Sequence, residues 1–372
     1  MEENPILRKP KRLVEEFFSL AEEDSARVAA EVEGDLRFIQ GVSNLVKARK
    51  VKPAKRDIRL AAVDGSLAPS PSMRVGIGVS VVTAGFMVMD GGRIVHADYR
   101  AGTFVSKSGR RALKLEAKIA MHELEREMAV EAMKWSPDYL LIDGSFFYPM
   151  STAMFMAAPP HVKSAIRRAY ENTAKVLESG KAVGIIKRSS LRAIEGELAL
   201  RGLIRNARNL RDKFILEVLM PEKSIWEYSR FTGENPVMLS LFIKRLEAGS
   251  SSDISSVLEQ VRTQMREAWK AQGIPEVNLE RGYVRAYSDP PPFEAEYPQG
   301  FDLERFAVDV IPWCNEATGL PFILDMLDHD IGVEKALIRA YVDEVHARAL
   351  HKTMKPEGLR SMFKPLNPEK ED

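Results

Sequence analysis

The sequence predicts an α/β chain built on a mixed sheet with helices on its faces, and three observations carry that reading. Two short apolar runs, Ile58 to Val63 and Tyr139 to Ile142, each end on the same triplet, Asp-Gly-Ser. Between them lie two β-branched runs joined at Asp90-Gly91-Gly92, which is a hairpin signal. Between that hairpin and the second triplet, residues Ala112 to Trp135 carry apolar side chains at helical spacing, and Pro137 ends the helix.

Taken in order, residues 10 to about 50 read as an amphipathic helix, with Leu13, Phe17, Leu20, Val28 and Val32 among many charges. A strand at 58–63 and a Pro/Ser-rich loop from Ala68 to Ser72 follow. The hairpin strands are Val75 to Met89 and Arg93 to Tyr99, and the basic loop Lys107 to Arg111 leads into the 112–135 helix. After the 139–142 strand come a helix at 161–178, a strand at 182–186 and a helical region to about Leu210. The pattern then reads as a strand at 214–219, helices at 235–247 and 253–271, a Pro-rich turn at 290–292 and a strand at 306–311. A last helix covers 321–351, and the charged, Pro-containing tail from Lys355 reads as loose. This divides the chain into a helical arm at 1–57 for packing or dimerisation, a main domain at 58–352 with a helical insertion near 230–275, and a tail at 353–372.

At 372 residues, 45% hydrophobic and 29% charged, the chain can bury a large core without covalent staples. Its single cysteine, Cys314, excludes a disulfide framework and a cysteine-rich zinc site. No signal-peptide core and no apolar run of spanning length is present, so a cytoplasmic location away from membranes is expected. The net charge of +1 says little about nucleic acid, because a phosphate surface needs local clusters. Two clusters exist: Lys47, Arg49, Lys50, Lys52, Lys55, Arg56 and Arg59, and then Lys107, Arg110, Arg111, Lys114 and Lys118. Either can also be a plain solvated face.

Chemistry is expected where the triplets fall. If the two triplet strands are parallel neighbours, Asp64 and Asp143 emerge at the same carboxyl-end edge, where open α/β sheets bind ligands. Paired carboxylates repel unless a cation separates them, and an all-oxygen site suits Mg²⁺ or Mn²⁺. Two such ions, ~3.5–4 Å apart, clamp the attacking and leaving oxygens of a phosphodiester. The bland alternative is that each aspartate caps a turn. On the intervening helix the stripe Ala117, Met121, Leu124, Met128 and Trp135 should face the sheet. Glu125 and Glu127 border it on opposite sides, and the choice falls narrowly on Glu125. A fourth group sits in 319–330, where Asp325, Asp328, His329 and Asp330 crowd an apolar helix start, although dipole compensation also accounts for acids there.

These pieces, in this order, resemble the ribonuclease-H-like nucleases and more specifically the NurA nuclease family of archaea and some bacteria. The resemblance rests on Ala61-Ala-Val-Asp-Gly-Ser66, Leu124 to Met133, Leu140-Leu-Ile-Asp-Gly-Ser145, Gly184-Ile-Ile-Lys-Arg-Ser189, Asp212 to Leu216 and Pro292 to Pro298. It implies a ribonuclease-H-like mixed sheet flanked by helices, with an N-terminal helix and helical insertions. It further implies a Mn²⁺- or Mg²⁺-dependent deoxyribonuclease holding two ions, with 5′–3′ exonuclease and single-strand endonuclease activity. A homodimer acting on DNA ends with a HerA-type hexameric ATPase, in end resection and double-strand break repair, is implied with it. Residue by residue, Asp64, Glu125 and Asp143 carry over as metal ligands, with Glu127 the alternate for Glu125. Lys187 carries over as a contact to the scissile phosphate, and Lys107, Arg110, Arg111 and Arg188 are expected on DNA. The last motif departs: Leu320 stands where the family has a tyrosine, Asp328 falls at the final ligand position, and His329 lies one residue late as its alternate.

Other chemistries find no support. Gly76-Ile-Gly78 lacks the third glycine of a dinucleotide loop, and no P-loop, zinc-spaced histidine pair or Gly-x-Ser-x-Gly motif occurs. The segment Met150 to Met156 reads as core. A catalytically weak scaffold that binds DNA or a translocase on the same core is the rival reading.

Overall fold

The computed structural model describes residues 4–365 apart from 69, 108, 149, 205 and 250–253. In chain order the elements are α1 (Lys11–Val42), β1 (Arg49–Lys50), β2 (Arg59–Leu67), β3 (Ser72–Met73), β4 (Gly78–Asp90), β5 (Arg93–Ser106), α2 (Arg110–Met133) and β6 (Tyr139–Asp143). Then follow α3 (Thr152–Ala157), α4 (Pro160–Leu177), β7 (Ala182–Ile186), α5 (Ala193–Leu200), α6 (Asp212–Leu219) and β8 (Ser224–Glu227). The chain continues through α7 (Pro236–Glu247), α8 (Ile254–Gln272), β9 (Leu279–Arg285), β10 (Phe293–Pro298), α9 (Leu303–Val310), α10 (Phe322–Ile331), α11 (Lys335–Lys352) and α12 (Pro356–Met362).

The strands of the described residues form one sheet in the order β1-β8-β9-β10-β7-β6-β2-β4-β3, with β5 also paired to β4. Strand β6 runs parallel to both β2 and β7, and the other pairings are antiparallel. Alternation along β2 fixes its two faces. Ala61 and Val63 pack beneath α2 and α4, while Leu60 and Ala62 pack with Leu324 and Leu327 of α10. Helices therefore cover both faces of the central strands, the mixed α/β architecture expected.

Several elements differ from expectation. Residues 214–219 form α6 rather than a strand, and the buried positions Asp212, Ile215, Leu216 and Met220 show why: they recur at three and four residues, the spacing of one helix face. Residues 306–311 likewise form the end of α9 and a short 3₁₀ turn, with Leu303, Phe306, Ala307 and Val310 buried and Asp302 capping the helix at Arg305 N. The expected 321–351 helix breaks at Gly332, where Ser66 Oγ accepts from Val333 N and Thr83 donates to the Ile331 carbonyl. Helix α1 stops at Val42 rather than near 50. The stretch expected to be loose forms α12 up to Met362, and Pro365 bridges to Arg74; residues 366–372 lie outside the described residues. In the Met-rich segment only Phe155 is buried, while Met154 and Met156 are exposed. Strands β8, β9 and β10 were not anticipated, because their sequences carry charges inside the sheet.

Candidate metal and phosphate site

Strands β2 and β6 pair in parallel from Leu60 and Tyr139 to Val63 and Ile142, and the pairing stops at the two aspartates. Asp143, expected just past its strand, is the last residue of β6. Asp64 is not past its strand, because β4 continues to pair with β2 through Leu67 and holds Asp64 opposite Gly85. Both carboxylates nevertheless line one cleft of about 370 Å³, together with Glu125, Lys187 and Asp328. Helix α2 brings in Glu125 from one face of the sheet, and α10 brings in Asp328 from the other.

The cleft is electrostatically strained. Asp64 is 4% exposed, its Oδ1 accepts from Gly65 N at 2.7 Å, and its Oδ2 is buried without a hydrogen-bond partner. Burial first, and then the charges of Asp143, Glu125 and Asp328, push the Asp64 carboxyl up to about 9 against the opposing pull of Lys187. Burial also raises Asp143, which Lys187 Nζ partly offsets from 3.1 Å. Burial works to raise Glu125 as well, but Arg126 and His122 outweigh it and hold that carboxyl below its ordinary range. Lys187 shows the reverse balance: burial disfavours its charge, yet the surrounding aspartates, Asp143 foremost, leave it raised.

The alternatives for the third and fourth acids lie elsewhere. Glu127 pairs with Arg100 at 3.3 Å, and Asp325 accepts from Asn315 and Thr318. Asp330 accepts from Tyr99 Oη at 2.7 Å, while His329 is exposed outside the cleft lining. Of the basic residues expected on DNA, Arg188 lines the cleft; Lys107, Arg110 and Arg111 are exposed but lie outside its lining. Lys118, from the second basic cluster, also lines it. The first cluster is largely engaged: Arg49 with Glu227 and Glu304, Arg59 with Asp90, and Lys55 over the Trp313 ring. Leu320 packs against the core and stays out of the cleft lining.

Two lining residues were missed. His122 stands one turn before Glu125 on α2, with Nδ1 3.5 Å from Glu125 Oε2. Tyr148 packs against that imidazole with centroids 4.2 Å apart and ring planes tilted by 37°, and Lys118 Nζ lies 4.9 Å from its ring centre. The three-residue spacing from His122 to Glu125 was a usable signal; nothing in the sequence pointed to Tyr148.

The triplet glycines and Gly184 of β7 set how closely these parts approach. A Cβ on Gly65 would stand 3.0 Å from Met121 Cγ and 3.2 Å from Glu125 Oε2, so α2 packs directly on this backbone. Gly144 has φ +92°, a conformation other residues rarely adopt. A Cβ on Gly184 would stand 2.6 Å from the Gly144 carbonyl oxygen. Gly184→Ala should therefore push the loop after Asp143 outward, cutting divalent-ion affinity by ~10-fold or more and destabilising the fold by about 1–3 kcal/mol. Calorimetric Mn²⁺ titration and urea unfolding check both, and unchanged ion affinity would show that this close contact does not govern the site.

The donor set fits a hard divalent cation: four carboxylates, one with an orphaned buried oxygen, face one cleft whose lining holds a single histidine and no cysteine. Among the described residues, no three Asp, Glu, His or Cys side chains are already drawn together as a ligand set. Asp143 is turned to Lys187, and Glu125 to Arg126 and His122. Binding an ion there would require Asp143 to leave Lys187 and Glu125 Oε2 to leave His122, with Glu125 Oε1 still held by Arg126.

No protein-family model matches the chain, and no curated protein matches it by sequence. Solved structures do match. The NurA nuclease from Sulfolobus solfataricus is 15% identical, with a TM-score of 0.52 over 88% of this chain and 97% of its own. A NurA structure with manganese is 12% identical, with a TM-score of 0.54 over 88% and 97% of the two chains. Another, bound to dAMP and manganese, is 12% identical with a TM-score of 0.53 over 91% and 98%. The chain thus has the ribonuclease-H-like fold of the NurA nucleases, the resemblance its motifs carry.

Proposed function

We infer that this chain is a metal-dependent DNA nuclease whose active site is the cleft between Asp64 and Asp143. One observation carries the reading: four carboxylates and a lysine share a single cleft, and one of the carboxylates keeps a buried oxygen without any partner. A scaffold has no use for that arrangement, which costs stability until a cation enters. Asp64, Glu125, Asp143 and Asp328 would hold the cation, either Mn²⁺ or Mg²⁺ and two ions in the fullest form. When bound, it supplies the Lewis acidity that activates water and stabilises a leaving 3′-oxygen. Lys187 offsets charge developing on the phosphoryl group. Lys118 and Arg188 at the cleft, with Lys107, Arg110 and Arg111 farther out, hold the strand backbone by phosphate contacts.

The same reading assigns DNA ends as substrate, 5′–3′ exonuclease and single-strand endonuclease activity, and a role in end resection and double-strand break repair beside a HerA-type ATPase. A homodimer belongs to it as well. Helix α1 supports such partners: it buries only Ile39 and Val42, while Phe17, Phe18, Leu20 and Val28 are exposed along its length. Helix α1 of the 1–57 arm is then an assembly element, while β1 ties residues 49–50 of that arm into the sheet of the 58–352 nuclease domain. No helix of the described residues is long and apolar enough to cross a membrane.

The test is digestion of linear DNA with and without Mn²⁺. Wild type should degrade it only with the metal, and Asp143→Asn should lose ~100-fold or more while still binding DNA. The rival scaffold reading is favoured by one observation, the engagement of Asp143 and Glu125 with basic partners. Salt-dependent DNA binding with no digestion at any metal concentration would establish that rival instead.

A further inference from the structure

The short loop after Asp143 is gripped from two sides by buried charged side chains. On one side Glu296 of β10 accepts, through Oε2, from Ser145 Oγ at 2.7 Å and from Phe146 N at 2.6 Å. On the other, Arg126 of α2 donates from Nη2 to the carbonyls of Ser145 at 2.8 Å and Phe146 at 3.2 Å. Neither side chain belongs to the lining of the acidic cleft, and they are 3% and 1% exposed. Each is also committed elsewhere. Arg281 donates to Glu296 Oε1 from Nε at 2.9 Å and from Nη2 at 2.5 Å. Arg126 Nη1 donates to Glu125 Oε1, leaving Glu125 Oε2 toward His122 and the Gly65 backbone.

We propose that Arg126 and Glu296 are positioning residues that set Asp143 and Glu125 against each other for the divalent cation. The argument is one of cost. Buried ion pairs stabilise a fold no better than apolar residues of the same volume. What they supply is fixed geometry, because a guanidinium fork and a carboxylate each bind two directions at once. Here both directions are used on the same two residues. One fork ties the glutamate of α2 to the loop of β6, and one carboxylate ties that loop to the far side of β7. Groups standing behind metal ligands in this way typically change metal affinity ~10–100-fold when removed. The proposal rests on the metal-site reading above, and its test separates the two.

Mn²⁺ binding is measured by calorimetry without DNA on wild type, Asp64→Asn, Ser145→Ala and Glu296→Gln, and hydrogen exchange is followed across residues 143–148. Ser145→Ala removes the hydroxyl's bonds to Glu296 and Arg281 and keeps Phe146 N on Glu296, so it tests the grip in a protein that remains folded. The expected result is ~3–10-fold weaker Mn²⁺ binding in Ser145→Ala and ~10–100-fold in Glu296→Gln, with faster exchange at Phe146 in both. Faster exchange with wild-type Mn²⁺ affinity would overturn the positioning role, reduce the grip to loop stability and leave the metal site standing. Wild type that binds Mn²⁺ no better than Asp64→Asn would overturn the metal site, and the positioning role with it.

Discussion

Asp64→Asn should sharply reduce the metal-dependent DNA hydrolysis proposed above and leave the metal-free protein more stable than wild type. The loss of rate should reach ~10³-fold, because the carboxylates act as one unit and removing a member forfeits most of what the set provides. The gain in stability follows from burial. Asn keeps the 2.7 Å bond from Gly65 N to Oδ1 and puts an amide N–H where the orphaned Oδ2 now faces neighbouring carboxylates. It also removes an ionisation that the fold opposes. The folded carboxyl keeps its proton to about 9, whereas its ordinary value is 3.8. Between those values the folded state binds more protons than the unfolded state, so this group's contribution to stability falls as pH rises through that window and levels off above it. Asp64→Asn should therefore gain about 1–3 kcal/mol over wild type at pH 8, and less at pH 5. Thermal unfolding in EDTA at the two pH values measures this. An Asn variant less stable than wild type at both would mean that Asp64 has a structural role, and the reading of the cleft as a strained cation site would fall.

The same feature explains how far the sequence could be read. Asp64 and Asp143 were legible because each ends or interrupts an apolar run beside glycine, and periodicity exposes that without knowledge of partners. The hairpin β4–β5, helix α2 and strands β6 and β7 were legible for the same reason. Choosing among close neighbours is harder, since Glu125 and Glu127 differ by one helical face. The structure separates them because Arg100 takes one and the cleft takes the other. Asp325, Asp328 and Asp330 divide in the same manner, two being satisfied by Thr318, Asn315 and Tyr99. Arg126 is the instructive miss: periodicity puts it among the charged positions of α2, yet it is 1% exposed because two carbonyls and a carboxylate replace its water. Strands β9 and β10 hid behind the same effect. Arg281 stands directly across from Glu296, and a pattern of charged residues reads as surface unless the cross-strand pairing is known.

Arg281→Met should lower stability by about 3–5 kcal/mol, as expected when a buried ion cluster loses the guanidinium bonded to both its carboxylates. Arg281 donates to Glu294 at 2.9 Å and to Glu296 at 2.5 Å, and the two glutamate side chains are 0% and 4% exposed. Burial opposes the guanidinium charge, but the two carboxylates outweigh it and hold Arg281 raised above its ordinary range. Methionine fills similar volume and so leaves little cavity, which makes the loss one of charge rather than packing. Two carboxylates would then face each other on neighbouring positions of one sheet face, far from water. Urea unfolding measures the loss, and adding Glu294→Gln to Arg281→Met should recover part of it by removing one uncompensated charge. A loss below about 1 kcal/mol would mean that water or another cation reaches the cluster. The consequence extends to the cleft. Glu296 deprived of Arg281 would either take up a proton or turn away, and in both cases it accepts less strongly from Ser145 and Phe146. Arg281→Met should therefore weaken Mn²⁺ binding although Arg281 touches none of the four cleft carboxylates, and Glu294→Gln should not restore that affinity even where it restores the fold.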